Sequence, residues 1–467
     1  MNLLLTITYL KNSLNKIIFI LGIFFVAIII FYHMSYLGDP DNGVLTEGAW
    51  RLYHGDKLYL DFFEYIPPGN FYIIYWAWLI LGPHYWIAKS IGIVGILLGA
   101  LGLYFSGKIV SNSRLVLMPP ALFLIASAGW PIINHNSFST TIIIWFTFFI
   151  IKFLNQKKQI LMLSVAGFLL GLSGLFLLHR SIIVFIATII FLLWQYTKNS
   201  LKYILFFTLS FILPLTILII FWPIDTIFKS LIVFPLFNYE AINQYPKIFF
   251  YPLVLSSLLI FYYSRNVRNN IYYFLIFIQA GLFWTTLSRP DYSHLTIAVF
   301  PTLLWCSYAL AQNIRQNIQW VSMFIISMFI YFPALGWIVG IFDNYVFFTK
   351  PLYMHDNSLT RYFNKNCSSS PYIYAGPFSP SLYPDLRKLN PTSFPFLLTN
   401  HNTKSQFELA AKQLYKNKPG CILMNYDLVK KFSYTINNPV DNFINNNYQA
   451  GKKFGSTQFF LPKTCLQ

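Results

Sequence analysis

The chain has 467 residues, of which 56% are hydrophobic and only 10% charged, and its mean hydropathy is +0.54. A soluble domain carries about 25% charged residues, so a water-soluble globular protein is excluded. The net charge of +18 would suggest a nucleic-acid partner in a soluble protein, but here the basic residues fall in short clusters between apolar runs. They offer no continuous face to a phosphate backbone and read as signals of membrane topology.

Crossing a hydrocarbon layer of about 30 Å takes roughly 20 helical residues. Eleven apolar segments approach that length, at about 16–37, 84–108, 115–131, 137–154, 160–178, 181–197, 201–222, 248–263, 271–288, 294–312 and 318–342. They are too long and continuous for barrel strands, and only helices satisfy their own backbone there. The predicted fold is a polytopic α-helical membrane protein of about 11 spans.

The Lys and Arg of short loops alternate with the acids. One set of loops holds Lys11 and Lys16, Lys108 and Arg114, Lys152, Lys157 and Lys158, Lys198 and Lys202, Arg265 and Arg268, and Arg315. The opposite set holds nearly all the acids, including those of the first loop, 38–83, and Asp291. Positive residues are retained on the cytoplasmic side. The expectation is a multi-pass protein of the cytoplasmic (inner) membrane with a cytoplasmic N-terminus. The first apolar run has the basic flank of a signal peptide but no small-residue cleavage site, so it reads as retained.

The membrane part ends near residue 342, and residues 343–467 are richer in Asn, Pro, Ser, Lys and Tyr. "PYIYAG", "GCILMN" and "QFFLP" read as short strands, and "SQFELAAKQLYKN" has the helical spacing of Phe407, Leu409, Ala410 and Leu414. A small extracytoplasmic α/β domain is expected. Cys367, Cys421 and Cys465 lie in it, where one disulfide is possible and three thiols cannot all pair. Cys306 reads as packing within a helix.

Six of the 15 acids fall within residues 38–70: Asp39, Asp41, Glu47, Asp56, Asp61 and Glu64. Glu47, Asp56 and Glu64 read as marks of a translocated loop. "DPDNG" opens like a calcium loop but fails as one: counted from Asp39, Val44 stands where Gly is required and Trp50 where the bidentate Glu belongs. A carboxylate beside aromatic, membrane-surface chain suits a catalytic base or a metal-assisted site. The following stretch, through "DFFEYIPPGNFYIIYWAWLILG", reads as amphipathic, and Pro67 and Pro68 prevent a continuous span. It should lie along the interface and help build a cavity open to lipid.

An acid just after the first span, then "GVLTEGAWRLYHGDKLYLDFFEYIPPGNFYI", resembles the first external loop of the GT-C membrane glycosyltransferases that use polyprenyl-phosphate donors. That superfamily includes the protein O-mannosyltransferases and the aminoarabinose transferases of lipid A. Within it, the chain is most similar to the bacterial dolichyl-phosphate-mannose-protein mannosyltransferase-like group, often labelled RgtA/B/C/D-like. The tail segments "IYAGPFSPSLYPDLRKLNPTSFPFLL" and "YQAGKKFGSTQFFLPK" resemble the extracytoplasmic domain of such enzymes.

The resemblance implies inverting transfer of a sugar from a polyprenyl-phosphate-linked donor to a lipid, glycan or protein acceptor on the outer face. It places the family's catalytic carboxylate on Asp41, its "Y-x-D-F-F" acid on Asp61 and its "PG" turn on Pro68 and Gly69. Relatives often carry an acid pair here, whereas Asn42 follows Asp41 in this chain; Asp39 is the residue that could complete the pair. No cofactor is assigned, and a divalent cation is possible.

Such chemistry needs a general base for the attacking hydroxyl, here Asp41, and positive charge for the departing phosphate. "SRPDYSHL" offers Arg289 and His294, with Asp291 to orient the Arg or bind an acceptor hydroxyl; Arg289 and Asp291 could equally form an interfacial salt bridge. "LHRS" offers Arg180 with His179 at a hairpin tip, and "WPIINHNSF" offers His135 and Asn136. His33 stands near Asp39, but no His, Cys and Asp set has reliable ligand spacing, so no tightly bound structural metal is predicted. Competing readings are a lipid-linked sugar flippase, for which the inverted repeat is missing, and a surface-polysaccharide polymerase or ligase, which concentrates its key residues in a late external loop.

Overall fold

The computed structural model describes residues 26–27, 30, 40–111, 113–127, 132–156, 159–196, 200–238, 250–287, 289–290, 292–331, 336, 357–367, 369–432 and 434–463. The first expected span, 16–37, and the end of the last, 332–342, lie almost wholly outside them.

The helices of the membrane part are α1 (Pro40–Tyr53), α2 (Gly69–Leu81), α3 (Tyr85–Val110), α4 (Met118–Ser127), α5 (His135–Asn155), α6 (Ile160–Gly174), α7 (Leu178–Gln195) and α8 (Ser200–Phe221). They continue with the short α9 (Ile224–Phe228) and α10 (Phe234–Phe237), then α11 (Phe250–Tyr263), α12 (Asn270–Thr286), α13 (Tyr292–Ala311) and α14 (Gln316–Ile326). Five of the described helices are long and apolar enough to cross a membrane: α3, α5, α7, α8 and α13 from His294 onward. Shorter apolar helices, α4, α6 and α11 among them, complete a multi-pass bundle.

Helix starts follow the local sequence. Asn134 caps α5 by accepting from the Asn136 amide at 2.7 Å, and Asn269 caps α12 by accepting from that of Tyr272 at 2.9 Å. Small residues set the packing. A methyl group at Gly167 or Gly171 would collide with the carbonyl of Phe207 or Phe211, so α6 and α8 meet backbone to backbone along this seam.

Pro301 lies inside the continuous helix α13, and Gln279 of α12 bonds to the helix backbone beside it. Its side-chain oxygen accepts from the Thr302 amide at 3.1 Å, and its amide nitrogen donates to the Ala298 carbonyl. Proline has no N–H to donate within the helix, and the Gln279 side chain, buried in an apolar surrounding, finds its partners on the backbone next to it.

Helix α2 differs from the amphipathic stretch expected after the first loop. It is apolar on every side: Phe71, Ile74 and Trp78 are buried, while Trp76, Leu79, Ile80 and Leu81 are exposed. Thirteen residues span about 20 Å, so this helix is too short to cross.

The C-terminal domain contains α15 (Asn357–Cys367), β1 (Ile373–Gly376), α16 (Leu382–Asp385), α17 (Lys404–Asn417), β2 (Cys421–Met424), α18 (Pro439–Asn447), β3 (Tyr448–Phe454) and β4 (Thr457–Pro462). The three stretches expected as strands are strands, in sheet order β1-β2-β4-β3, with β1 parallel to β2 and the remaining pairs antiparallel. Thr403 and Gln406 form a reciprocal cap at the start of α17. Cys367 and Cys421 form a disulfide joining α15 to β2; Cys465 lies outside the described residues. Cys306 is free and buried in α13.

Candidate active site

The first loop ties the bundle to the C-terminal domain. Helix α1 begins beside the loop that leads into α5, where Asn42 Oδ1 accepts from the Ile133 amide at 3.0 Å. At the far end of the loop, the Gly69 amide donates to the Leu175 carbonyl at 2.8 Å, and Asn70 Nδ2 donates to that of Phe176 at 2.9 Å. Toward the domain, Trp50 Nε1 donates to the Lys388 carbonyl at 2.9 Å and the Phe63 amide to that of Ser393 at 2.8 Å.

Arg51, on the last turn of α1, holds this junction. Its Nε pairs with Glu47 Oε1 at 2.5 Å and its Nη1 with Asp56 at 3.3 Å, while Nη2 donates to the Thr392 carbonyl. Asn390 Nδ2 also donates to Glu47, at 3.2 Å. The reading of Glu47 and Glu64 as mere marks of a translocated loop is therefore overturned: they are 0% and 1% exposed. Neither Glu64 oxygen has a well-formed hydrogen bond among the described residues, and burial, with Glu47 nearby, pushes its carboxyl well above the usual range.

The bonds that position α1 bring several candidate residues to one end of the bundle. His135 opens α5, His179 and Arg180 stand on the first turn of α7, and Arg289 and His294 flank the start of α13. These five groups are close enough to interact electrostatically. Arg180 is 1% exposed. It donates from Nη2 to Asn136 Oδ1 at 2.8 Å, and Asn136 Nδ2 lies 3.1 Å from His135 Nε2. The Nε and Nη1 of Arg180 are buried without a partner among the described residues. A buried guanidinium with open N–H groups, and no carboxylate paired to it among the described residues, has the chemistry to receive an anion.

Asp41 lies on the first turn of α1, the turn anchored to Ile133 through its neighbour Asn42. Asp39 and Asp291 lie outside the described residues, as does His33. Asp61 is not gathered into the cluster: it is exposed and accepts from the Lys57 amide at 2.7 Å, closing a turn. Among the described residues, no three His, Cys, Asp or Glu side chains come together in a way that could hold a metal ion.

Two residues were missed by sequence reasoning. Lys89 is 1% exposed on the N-terminal half of α3, one turn before Gly92, which lies against the Ile132 carbonyl. Its signal was available, because a charge inside an apolar run is costly and marks function. His401, in the C-terminal domain, is buried and feels the charge of Arg289. A histidine 107 residues beyond His294 carries no local signal of that proximity.

No protein-family profile matches the sequence, and no curated protein sequence matches it. In overall structure the chain is similar to ArnT from Cupriavidus metallidurans, solved bound to undecaprenyl phosphate, with a TM-score of 0.60 and 12% identity over 94% of this chain and 97% of that one. The same protein in the apo state gives 0.58 and 11% over 96% and 98%. The oligosaccharyltransferase of Archaeoglobus fulgidus, tethered with an acceptor peptide, gives 0.53 and 8% over 96% and 74%. At such identities the likeness is one of fold, and it extends over nearly the whole chain: this protein has the GT-C fold.

Proposed function

We propose that the protein is a glycosyltransferase that moves a sugar from a polyprenyl-phosphate donor to a hydroxyl acceptor on the outer face of the cytoplasmic membrane. The observation that carries this reading is the buried guanidinium of Arg180, whose Nε and Nη1 have no partner among the described residues, set with Arg289, His135, His179 and His294 under a C-terminal domain on a GT-C bundle. ArnT, the most extensively covered of the similar structures above, was solved with undecaprenyl phosphate, a ligand with the anionic head that such a cluster would receive.

In this mechanism the acceptor oxygen attacks the anomeric carbon from the face opposite the phosphate. Its proton passes to the carboxylate of Asp41 as the new C–O bond forms. The bond from the anomeric carbon to the phosphate oxygen breaks, and the polyprenyl phosphate leaves with that electron pair. Arg180 and Arg289 stabilise the growing negative charge, and Lys89 adds a further buried cation on α3. Attack opposite the leaving group inverts the anomeric centre. The cations meet the charge requirement through the chain's own residues, so we propose that transfer runs without a resident metal ion.

The outward orientation is supported by the Cys367–Cys421 disulfide, since such bonds persist in oxidising compartments, and by the Lys108 and Lys152 found at the opposite ends of α3 and α5. Lipid, glycan and protein hydroxyls are the acceptor classes.

The test uses purified protein in lipid nanodiscs with polyprenyl-phosphate-linked sugars. Asp41→Asn should lower transfer by about 100-fold or more while donor binding persists. Arg180→Ala should weaken binding of polyprenyl phosphate by about 10-fold or more, the scale of hydrogen bonds to a charged group. Normal turnover in the Asp41 variant sinks the base assignment. Transbilayer movement of the donor without transfer would replace the reading with a flippase.

A further inference from the structure

We propose that residues 222–237 form a membrane-surface clamp: an outward apolar stripe sits among the acyl chains of the outer leaflet and thereby holds the first loop in place through Trp222 and Phe234.

The segment starts where the spanning helix α8 ends. Ile219, Ile220 and Phe221 on its last turn are exposed, as lipid-facing residues of a spanning helix are. Pro223 has no N–H to extend the ladder and ends it. Helix then resumes, because α9 passes through a π turn at Lys229–Val233 directly into α10. Residues 224–237 are therefore one helical segment about 20 Å long.

Three stripes run along this segment. Ile227, Leu231 and Phe234 are buried and face the protein. Ile224, Phe228, Leu236 and Phe237 form a second, apolar stripe and are between 56% and 79% exposed. Asp225 and Lys229 lie beside it and pair with each other at 2.8 Å, both exposed. A helix lying in a membrane interface meets these three surroundings at once: protein, hydrocarbon and water.

Continuity identifies what covers the apolar stripe. From Ile219 to Phe228 the exposed side chains remain apolar except for the one residue of the ion pair, so the stripe extends the lipid face of α8. The depth is marked independently by aromatic rings. Tyr72 of α2 lies 5.7 Å from Trp76 and 6.0 Å from Trp222 between centroids, and such belts sit where hydrocarbon meets water. The neutral Asp225–Lys229 pair gives the segment no net charge with which to seek anionic headgroups, so acyl chains are the partner.

Both ends of the segment grip the first loop. Trp222 Nε1 donates to the Leu58 carbonyl at 2.8 Å, and its ring is edge-on to Tyr59 at 5.5 Å. At the far end, Phe234 is edge-on to Phe63 at 4.7 Å and lies 5.3 Å from the Tyr65 ring. Phe63 in turn packs on Phe394 of the C-terminal domain at 6.0 Å and donates its amide to the Ser393 carbonyl. The stretch 58–65 is thus held between the segment and that domain, and seating the outer stripe in lipid opposes the segment's lifting away.

Depth is measured on the full chain in nanodiscs of phosphatidylethanolamine and phosphatidylglycerol. Nitroxides are attached through Ile224→Cys, Asp225→Cys, Phe228→Cys and Leu236→Cys, each on a Cys465→Ser background. Molecular oxygen concentrates in hydrocarbon, and a nickel chelate stays in water. Oxygen should dominate relaxation at 224, 228 and 236 and nickel at 225, and this pattern should persist in phosphatidylcholine and in high salt. Nickel dominating at 224, 228 and 236 puts the stripe in water and overturns the proposal. Protection from both probes means that protein covers it, and a pattern lost in phosphatidylcholine means headgroup capture; either result overturns the proposal as well.

Hydrogen exchange reads the grip on the loop. Leu236→Asp combined with Phe237→Asp should speed exchange over residues 59–66 by about 10-fold or more, the scale of losing one buried aromatic side chain, while the amides of α3 keep their rate. Leu236→Met with Phe237→Leu keeps the stripe apolar and should exchange as wild type. Unchanged exchange in the charged variant, or the same acceleration in α3, overturns the clamp.

Discussion

Asn42 Oδ1 accepts from the Ile133 amide at 3.0 Å, and both residues are buried. This one bond joins the first turn of α1, which carries Asp41, to the loop that leads into His135. At the position after Asp41, where the sequence resemblance led to the expectation of a second acid, Asn42 serves as a structural acceptor. Asn42→Ala leaves the Ile133 amide buried and unpaired, at a cost of about 1–3 kcal/mol. Transfer should fall by about 10-fold or more if α1 shifts by as little as an ångström, with polyprenyl-phosphate binding less affected. Thermal unfolding and single-turnover rates check the two effects.

Arg51 and Glu47 form a buried pair one helical turn apart. Removing one member strands the other charge away from water, so Arg51→Ala should destabilise the protein by about 3–5 kcal/mol. Glu47→Gln keeps the shape and an acceptor for Arg51, and its loss should be smaller. The comparison is made by thermal unfolding in one detergent. Equal, small losses would mean that water reaches the pair.

Glu64 gives a pH dependence of unusual sign. An unfolded Glu titrates near about 4.3, and burial, with Glu47 second, raises the folded value well above the usual range. The folded state therefore binds the proton more tightly. Its stability falls as pH rises from about 4.3 through the raised folded value, and below that window both states are protonated and the penalty vanishes. Glu64→Gln should unfold at a higher temperature than wild type at pH 8, with the gap closing toward pH 4.5. A variant less stable at pH 8 would contradict the carboxyl's isolation.

The Cys367–Cys421 bond closes a chain separation of 54 residues. Its loss should cost about 2–4 kcal/mol through a freer unfolded chain. The expected result is a lower unfolding temperature under reductant, matched by Cys367→Ser with Cys421→Ser and unaltered further by reductant in that double variant. Because this domain carries the Thr392 carbonyl that Arg51 bonds and the Asn390 amide that Glu47 accepts from, donor binding should weaken along with stability.

A fifth outcome concerns the metal-free proposal. Exhaustive chelation should leave transfer within about twofold of its starting rate, since guanidinium groups supply the charge that a cation would otherwise provide. Activity lost on chelation and restored by one divalent ion would assign a metal to the acids at the start of α1.

Much of this architecture was legible in the residues themselves. Long apolar runs dictate helices in lipid, because unsatisfied backbone cannot persist there, and their observed limits fall within a few residues of the hydropathy pattern for α3, α5 and α8. Three of the four described strands of the C-terminal domain, β1, β2 and β4, were marked by apolar stretches bounded by Pro, Gly and Asn; β3, with Lys452 and Lys453 in it, carried no such mark. Arg180, Arg289, His135 and His294 were singled out because transfer from a phosphate-linked donor needs positive and polar groups in the external loops.

Only the tertiary structure decided which of these residues meet. Helix order does not specify which loops lie side by side; that depends on packing such as the α6–α8 glycine seam and on long-range bonds such as Gly69 to Leu175. Asp61 matched a motif and stands apart, while Glu47 and Glu64 looked like loop charge and lie buried. Burial is a property of what covers a residue, and here the cover is a domain more than 300 residues away along the chain. Glu47 is the sharpest case, because the Asn390 amide it accepts from is joined to it by nothing in the local sequence and reaches it only when the C-terminal domain settles onto α1.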